Sequence, residues 1–322
     1  MQRPIFIVLL ILSTIFACDD NDKIEAEIAK IKVDLNVSRF DREFSASGPA
    51  ELPVLKRKYP YLFPEQFTDS VWIAKFTDTI QVELSTEVNK TFPDFEQEKE
   101  GLTSLFQHIK YYFPQFTEPK VVTLTSDVQY ETRVVLTDTL LLLGLDNYLG
   151  PEHHFYEGLP KYIAEDLDKQ FLISDVAEAF TNKVVPPTKD RSFLGLMIYF
   201  GKKLYLKDKL MPNATDAQKI GYAQDELDWA MVNEEPIWRN FIEQEHLYST
   251  DRQIASRFLD PAPFSKFGLE QIDNESPGRI GRYIGWQIVR AFMEKNDNVS
   301  TQQLLQLPTE EIFKKANFKP RK

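Results

Sequence analysis

Apolar positions along the chain fall into three kinds of run. The first, Ile5 to Phe16, is almost continuous and broken only by Ser13 and Thr14. It is shorter than the ~20 apolar residues a spanning helix needs, and it follows Arg3, so it suits the core of a signal peptide. The second kind alternates. Val33, Leu35 and Val37 predict a strand within 33–44, and the β-branched Val121 to Thr125 predicts another. Thr132 to Leu136 and Leu140 to Leu145 predict two more, joined by a turn at Thr137-Asp138-Thr139. The third kind has helical spacing. Leu102, Leu105, Phe106, Ile109 and Phe113 mark one face of a helix over 99–113, and 70–83 reads as helical before it.

Beyond the stop signal Asp146 to Pro151, the pattern is helical throughout. Ser174 is the expected N-cap of a helix to Lys183, closed by Pro186-Pro187. Ser192 starts another that ends near Pro212. Helices follow over 216–233 and 236–246. Ser276-Pro277 reads as a cap pair for a helix whose Ile280, Ile284, Ile288 and Phe292 recur at every fourth position. A last short helix is expected over 309–316. Residues 48–66, with prolines at 49, 53, 60 and 64, read as constrained but irregular. The fold class expected is α+β and predominantly helical, a small β-rich part in the N-terminal half leading into a helical C-terminal half. The expected division is a signal peptide over 1–17, a polar tether over 18–30 and a single globular domain over 31–322.

The first run ends in Ile15-Phe16-Ala17-Cys18, followed by Asp19-Asp20-Asn21-Asp22. This resembles the lipobox of bacterial lipoproteins, with a branched residue three before the cysteine and a small one directly before it. The resemblance implies cleavage after Ala17 and a diacylglycerol thioether, with further acylation such as palmitate, on Cys18. Several acyl chains anchor firmly where one does not. The alternative is an ordinary secretory signal with an incidental cysteine, but Cys18 is the only cysteine among the 322 residues. Once it is lipidated no disulfide can form, so stability has to come from packing.

Composition narrows the function classes. The formal net charge of -11 argues against nucleic acid, whose binders carry basic stripes, and against a polybasic membrane patch. Hydrophobic content of 43%, with 24 Phe and only 12 Gly, favours a compact helix-rich body. Catalytic signatures are sparse. The metal-binding helix signature H-E-x-x-H, a G-x-S-x-G elbow and a phosphate-binding P-loop do not occur. Of the four histidines, His246 follows Glu243 and Glu245 near a helix end, where a cation suits the helix dipole, and His153-His154 lies beside Glu152 and Glu157. In an extended loop adjacent side chains point to opposite sides, which favours a solvated loop over a metal site. No cofactor and no metal ligand set is expected. Gly281 and Gly285, four apart, read as close helix packing, with an anion-binding helix start at Gly278-Arg279 as the alternative. The densest local feature is Arg279, Arg282, Tyr283, Trp286 and Arg290 on one helix. They are candidates for a cleft or partner surface, since Arg, Tyr and Trp are enriched there, or for an internal network with Glu275 or Asp273.

Several segments together resemble one family. They are Leu142 to Gly150, Met197 to Tyr205, Glu234 to Ile242, Leu247 to Asp251 and, most specific, Asp273 to Arg290. The chain is similar over essentially its whole length to the GldB family of gliding-motility lipoproteins of Bacteroidetes. The resemblance implies an envelope lipoprotein needed for gliding, associated with the protein-secretion machinery that serves it, lipid-anchored and periplasm-facing. It implies no established enzymatic activity, so a non-catalytic docking component is expected, with a divergent envelope hydrolase as the alternative. A more distant likeness is to zincin-type metalloproteases, with Phe200-Gly201 and Pro277 to Gly285 in the places of two of their motifs. The helix over 174–183 carries no histidine, so this likeness implies a degenerate fold without metal ligands.

Overall fold

The computed structural model describes residues 16–261 and 267–321. The expected leader therefore lies outside the described residues apart from its last two positions, and Cys18 enters only as a backbone position in the first helix. That helix, α1 (Phe16–Ile28), occupies the segment read as a tether. Its far end is docked: Ile28 is buried, and Glu25 reaches His108.

A four-stranded sheet follows in pieces. β1 (Val37–Arg39), β2 (Lys120–Leu124), β3 (Val134–Leu136) and β4 (Leu140–Gly144) lie in the order β1-β2-β4-β3. β1 and β4 flank β2 in parallel, and β3 closes the edge antiparallel to β4. The alternating side chains of β2 and β4 face two different cores, as a period of two requires. Val121, Leu141 and Leu143 face the core shared with helices α6 (Glu96–Tyr112) and α8 (Leu172–Val184). Val122, Leu140 and Leu142 face a smaller core built by α2 (Phe40–Ser45), α3 (Leu52–Lys58) and the turn of 3-10 helix after it. Thus the sheet is covered on both faces, which suits the mostly apolar run Leu140 to Leu145.

Several sequence expectations move. The strand expected over 33–44 shortens to three residues, because Phe40 turns inward as the first residue of α2. The proline-rich 48–66 is not irregular: Pro53 sits at the start of α3, where its missing N–H costs nothing. The helix expected over 70–83 is two, α4 (Asp69–Lys75) and α5 (Thr79–Thr91). Asp78 separates them by capping α5, its carboxylate accepting from the Ile80 and Gln81 amides.

The helical half begins with α7 (Lys161–Ala164) and α8. Next come α9 (Phe193–Leu210), α10 (Asp216–Ile220), α11 (Gln224–Val232), α12 (Glu234–Glu243) and α13 (Arg252–Leu259). After α14 (Glu270–Glu275) the chain ends with α15 (Ile280–Lys295), α16 (Thr301–Gln306) and α17 (Thr309–Ala316). Ser192 caps α9 as expected, accepting from the Gly195 amide. Ser174 does not cap α8. It lies inside that helix, buried, and accepts a hydrogen bond from Lys207. Ser276-Pro277 is likewise not the cap of α15. Ser276 ends α14, and Arg279 precedes α15 in the left-handed region at φ 59°. The helix expected over 216–233 breaks at Gly221, whose φ of 77° ends α10.

The helix pair α9–α15 joins the cores. α9 gives Phe193, Leu194, Met197 and Ile198 to the C-terminal core and Leu206 and Leu210 to the sheet core. It meets α15 at glycine. A Cβ on Gly285 would stand 1.9 Å from the Met197 carbonyl oxygen, and one on Gly201 would stand 2.2 Å from that of Gly285. Close packing is thus the role of Gly285. Gly281 meets only side chains, Leu259 and Phe193.

Candidate functional site

Where the sheet core meets α9 and α15, the chain encloses a cavity of about 170 Å³. Five cationic side chains line it (Arg133, Lys203, Lys207, Arg279 and Arg282) with three carboxylates (Asp166, Asp175 and Glu178). They arrive from several elements, each for a local reason. Arg133 stands just before β3. Asp175 and Glu178, three apart, share the inner face of α8. Lys203 and Lys207, four apart, share one face of α9. Arg279 and Arg282 open α15.

Most of these charges neutralise one another. Arg133 holds Asp175 in a forked pair at 2.6 and 3.1 Å, and the Tyr148 hydroxyl donates to the same carboxylate at 2.8 Å. Glu178 bridges the two lysines, lying 3.1 Å from Lys207 and shorter still from Lys203. Burial by itself would raise the Glu178 carboxyl, but Lys207 and Lys203 outweigh it and hold it at about 2. The same burial lowers the Lys203 ammonium from its ordinary value, with Glu178 opposing. Arg279 reaches Asp166 at 3.4 Å and the Gly221 carbonyl at 2.7 Å.

Arg282 differs. Its Nε donates to the Leu259 carbonyl at 2.5 Å, and its guanidinium lies over the Phe200 ring at 4.1 Å. Among the described residues no carboxylate pairs with it. Burial, and then the neighbouring Arg279, push it down to about 10. Buried charge without a counter-charge is costly.

The five residues singled out in the sequence thus divide. Arg279 and Arg282 line the cavity. Tyr283 and Trp286 do not form a surface: both are buried, Tyr283 donating to Glu234 at 2.9 Å and Trp286 Nε1 to Asp208 at 2.9 Å. Arg290 stacks on Trp286 at 3.7 Å and is forked to both Asp208 and Asp216. The network forms, but with Asp166, Asp208, Asp216 and Glu234 in place of Glu275 or Asp273. Sequence reasoning missed Arg133, Asp166, Asp175, Glu178, Lys203 and Lys207. One signal was present: Lys202, Lys203 and Lys207 stand inside a largely apolar helix, where lysine is rarely buried unless paired.

The histidine pair is also rearranged. His153 and His154 do not point apart. A 3-10 turn over His154–Tyr156 stacks their rings at 4.5 Å. His154 meets Glu83 at 3.1 Å and His153 meets Glu87 at 3.6 Å, on α5 rather than on the neighbouring Glu152 and Glu157. Among the described residues no group of three or more His, Cys, Asp or Glu is placed to hold a metal ion.

Fold and site together define a mostly helical α+β protein with an ion-paired, cation-rich cavity at the seam between its sheet and its helical half. The family model described as gliding motility protein GldB matches residues 21–320, and the chain belongs to that family. No curated protein and no solved structure matches it, so the distant likeness to zincins gains no support there. Among the described residues no helix is long and apolar enough to cross a membrane.

Proposed function

We propose that the protein is a lipid-tethered, non-catalytic component of the gliding machinery in the cell envelope, facing the periplasm and docking to the associated secretion apparatus. Family membership over 21–320 carries this reading. The lipobox at Ile15 to Cys18 supplies the anchor, and α1 sets its length. Ten helical steps lead from Cys18 to the buried Ile28, so the body hangs about 15 Å from its lipid. The charges of the central cavity support a binding role. Asp175 and Glu178, which a hydrolase would use as acid or base, are each held by cations, and a carboxylate held near a pKa of 2 is a poor base at neutral pH. For docking, the exposed apolar Val232, Ile242, Tyr248 and Leu269 of the helical half are available to a partner.

Two variants test the reading in cells. Cys18→Ala should lose lipid labelling and gliding together, whereas replacing His153 and His154 with alanine should leave gliding intact. Normal gliding without Cys18, or gliding lost with the histidines while the protein stays abundant, would overturn it. Crosslinking with mass spectrometry on intact cells, through a tagged full-length copy, should recover gliding or secretion components.

A further inference from the structure

The charge balance of the central cavity is incomplete. Five cations face three carboxylates, a surplus of two positive charges in an enclosed space. The carboxylates are already committed. Asp175 is taken by Arg133 and Tyr148, Glu178 by two lysines, and Asp166 by Arg279. Among the described residues Arg282 has only a backbone carbonyl at its Nε and an aromatic face beneath it, and its terminal nitrogens make no hydrogen bond there.

We propose that this cavity is a binding site for an oxyanionic group of the phosphate or sulfate class, held by Arg282 with Lys203 and Arg279 as its neighbours. A tetrahedral oxyanion carries up to two negative charges and accepts several hydrogen bonds, which matches both the surplus and the free donors of a guanidinium fork. The size agrees. At about 30 Å³ for a water in the liquid, about 170 Å³ is the space of five to six waters, room enough for one such group. A larger space of about 500 Å³ shares Arg133, Asp166, Asp175 and Glu178 with the cavity and adds Tyr130 and Tyr162. The oxyanion would therefore be the head of a larger molecule, whose body lies against those tyrosines. The depressed arginine fits an environment short of negative charge.

This inference does not rest on the docking role, because it is read in vitro on the full-length lipoprotein in detergent. Inorganic phosphate and sulfate are titrated by calorimetry and thermal melting, against chloride at equal concentration. The expected result is saturable oxyanion binding with a rise in melting temperature that chloride does not reproduce. Arg282→Gln should weaken phosphate binding about tenfold or more, the scale of a lost charge-assisted hydrogen bond. Glu178→Gln should act in the opposite sense, lowering the melting temperature without anion but tightening phosphate, since it frees two ammonium groups. No binding of either oxyanion to the unaltered protein, an equal response to chloride, or unchanged affinity in a folded Arg282→Gln variant would overturn the proposal. Weaker phosphate binding by Glu178→Gln would do so too. Displacement of phosphate by a sugar phosphate, as against a short-chain phosphatidic acid, then tells whether the head arrives on a soluble molecule or on a lipid.

Discussion

Lys202 shows how one side chain can make stability depend on pH. It is buried on α9, with its ammonium donating to the Leu305 and Leu307 carbonyls at 3.1 and 2.6 Å. These carbonyls lie at the C-terminal end of α16, where a cation meets the negative end of the helix dipole. Among the described residues no carboxylate joins them, and burial lowers the ammonium to about 8 from an ordinary 10.5. The unfolded chain therefore holds the proton more firmly than the native one between those values, and native stability rises with pH there. Between pH 8 and 9.5 the protein should gain about 1–2 kcal/mol from this residue, at up to about 1.4 kcal/mol per pH unit. Denaturant titrations should show that gain shrink in Lys202→Met. An identical slope in the two proteins would refute the assignment. Glu178 has a dependence of the same sign in an acidic window. Its carboxyl is held at about 2, so its contribution is complete above its ordinary value of 4.5 and is lost as pH falls toward 2. Glu178→Gln should flatten the acid limb. At neutral pH it should cost about 3 kcal/mol, the low end for breaking a buried pair, since the carboxylate is 32% exposed.

Among the elements, the α9–α15 crossing is the least tolerant contact. An added methyl on Gly285 would collide with the Met197 backbone, which cannot rotate away. Overpacking costs about 1–3 kcal/mol, and more where backbone must move, so Gly285→Ala should fall at or above the top of that range. Gly281→Ala meets the ends of Leu259 and Phe193 side chains and should cost clearly less. Chemical denaturation of both variants checks the order, and an equal cost would mean that the helices can slide. The glycine spacing made a close approach legible in the sequence, but only the crossing tells which of the two glycines carries it. The turn after β2 teaches the same lesson. Asp127 and Val128 both take positive φ, uncommon for any side chain and more so for a β-branched one. The buried Asp146 compensates, accepting from the Ser126 and Val128 amides at 2.8 and 2.7 Å. Asp146 reads in the sequence as part of a stop signal; its partners are about twenty residues upstream, so local pattern does not reveal them.

For the whole molecule, the boundary between anchor and body is the main departure from the sequence reading. Residues 19–30 are polar and acidic enough to read as a solvated tether. Yet α1 runs to Ile28, whose side chain is buried, and Glu25 meets His108 on α6 at 3.2 Å. Ile24 and Ile28, four apart in a mostly polar segment, make too short a pattern to predict a docked helix, and the burial of Ile28 depends on a helix some eighty residues later. Ile28→Ala should cost about 2 kcal/mol, the low end for truncating a buried isoleucine. Hydrogen exchange should rise in residues 22–30 and leave α9 and α15 unchanged. Exchange that rises equally throughout would mean that α1 is part of the cooperative core and not a docked strut.

By itself the sequence determined what depends on neighbours along the chain. That covers the α+β class, the strands of 120–144, the α9 start at Ser192, the apolar face of α15 and the last helix. These follow from period, capping and spacing, which act over a few residues. Tertiary structure alone decided which charges face one another. Arg133, Asp175, Glu178, Lys203, Lys207, Arg279 and Arg282 come from four separate stretches of the chain and meet only because α9 packs against both the sheet core and α15. The pairing of ions across such distances has no periodicity to read. It is set by burial, which makes each buried charge find a partner or leave a cavity that can take one.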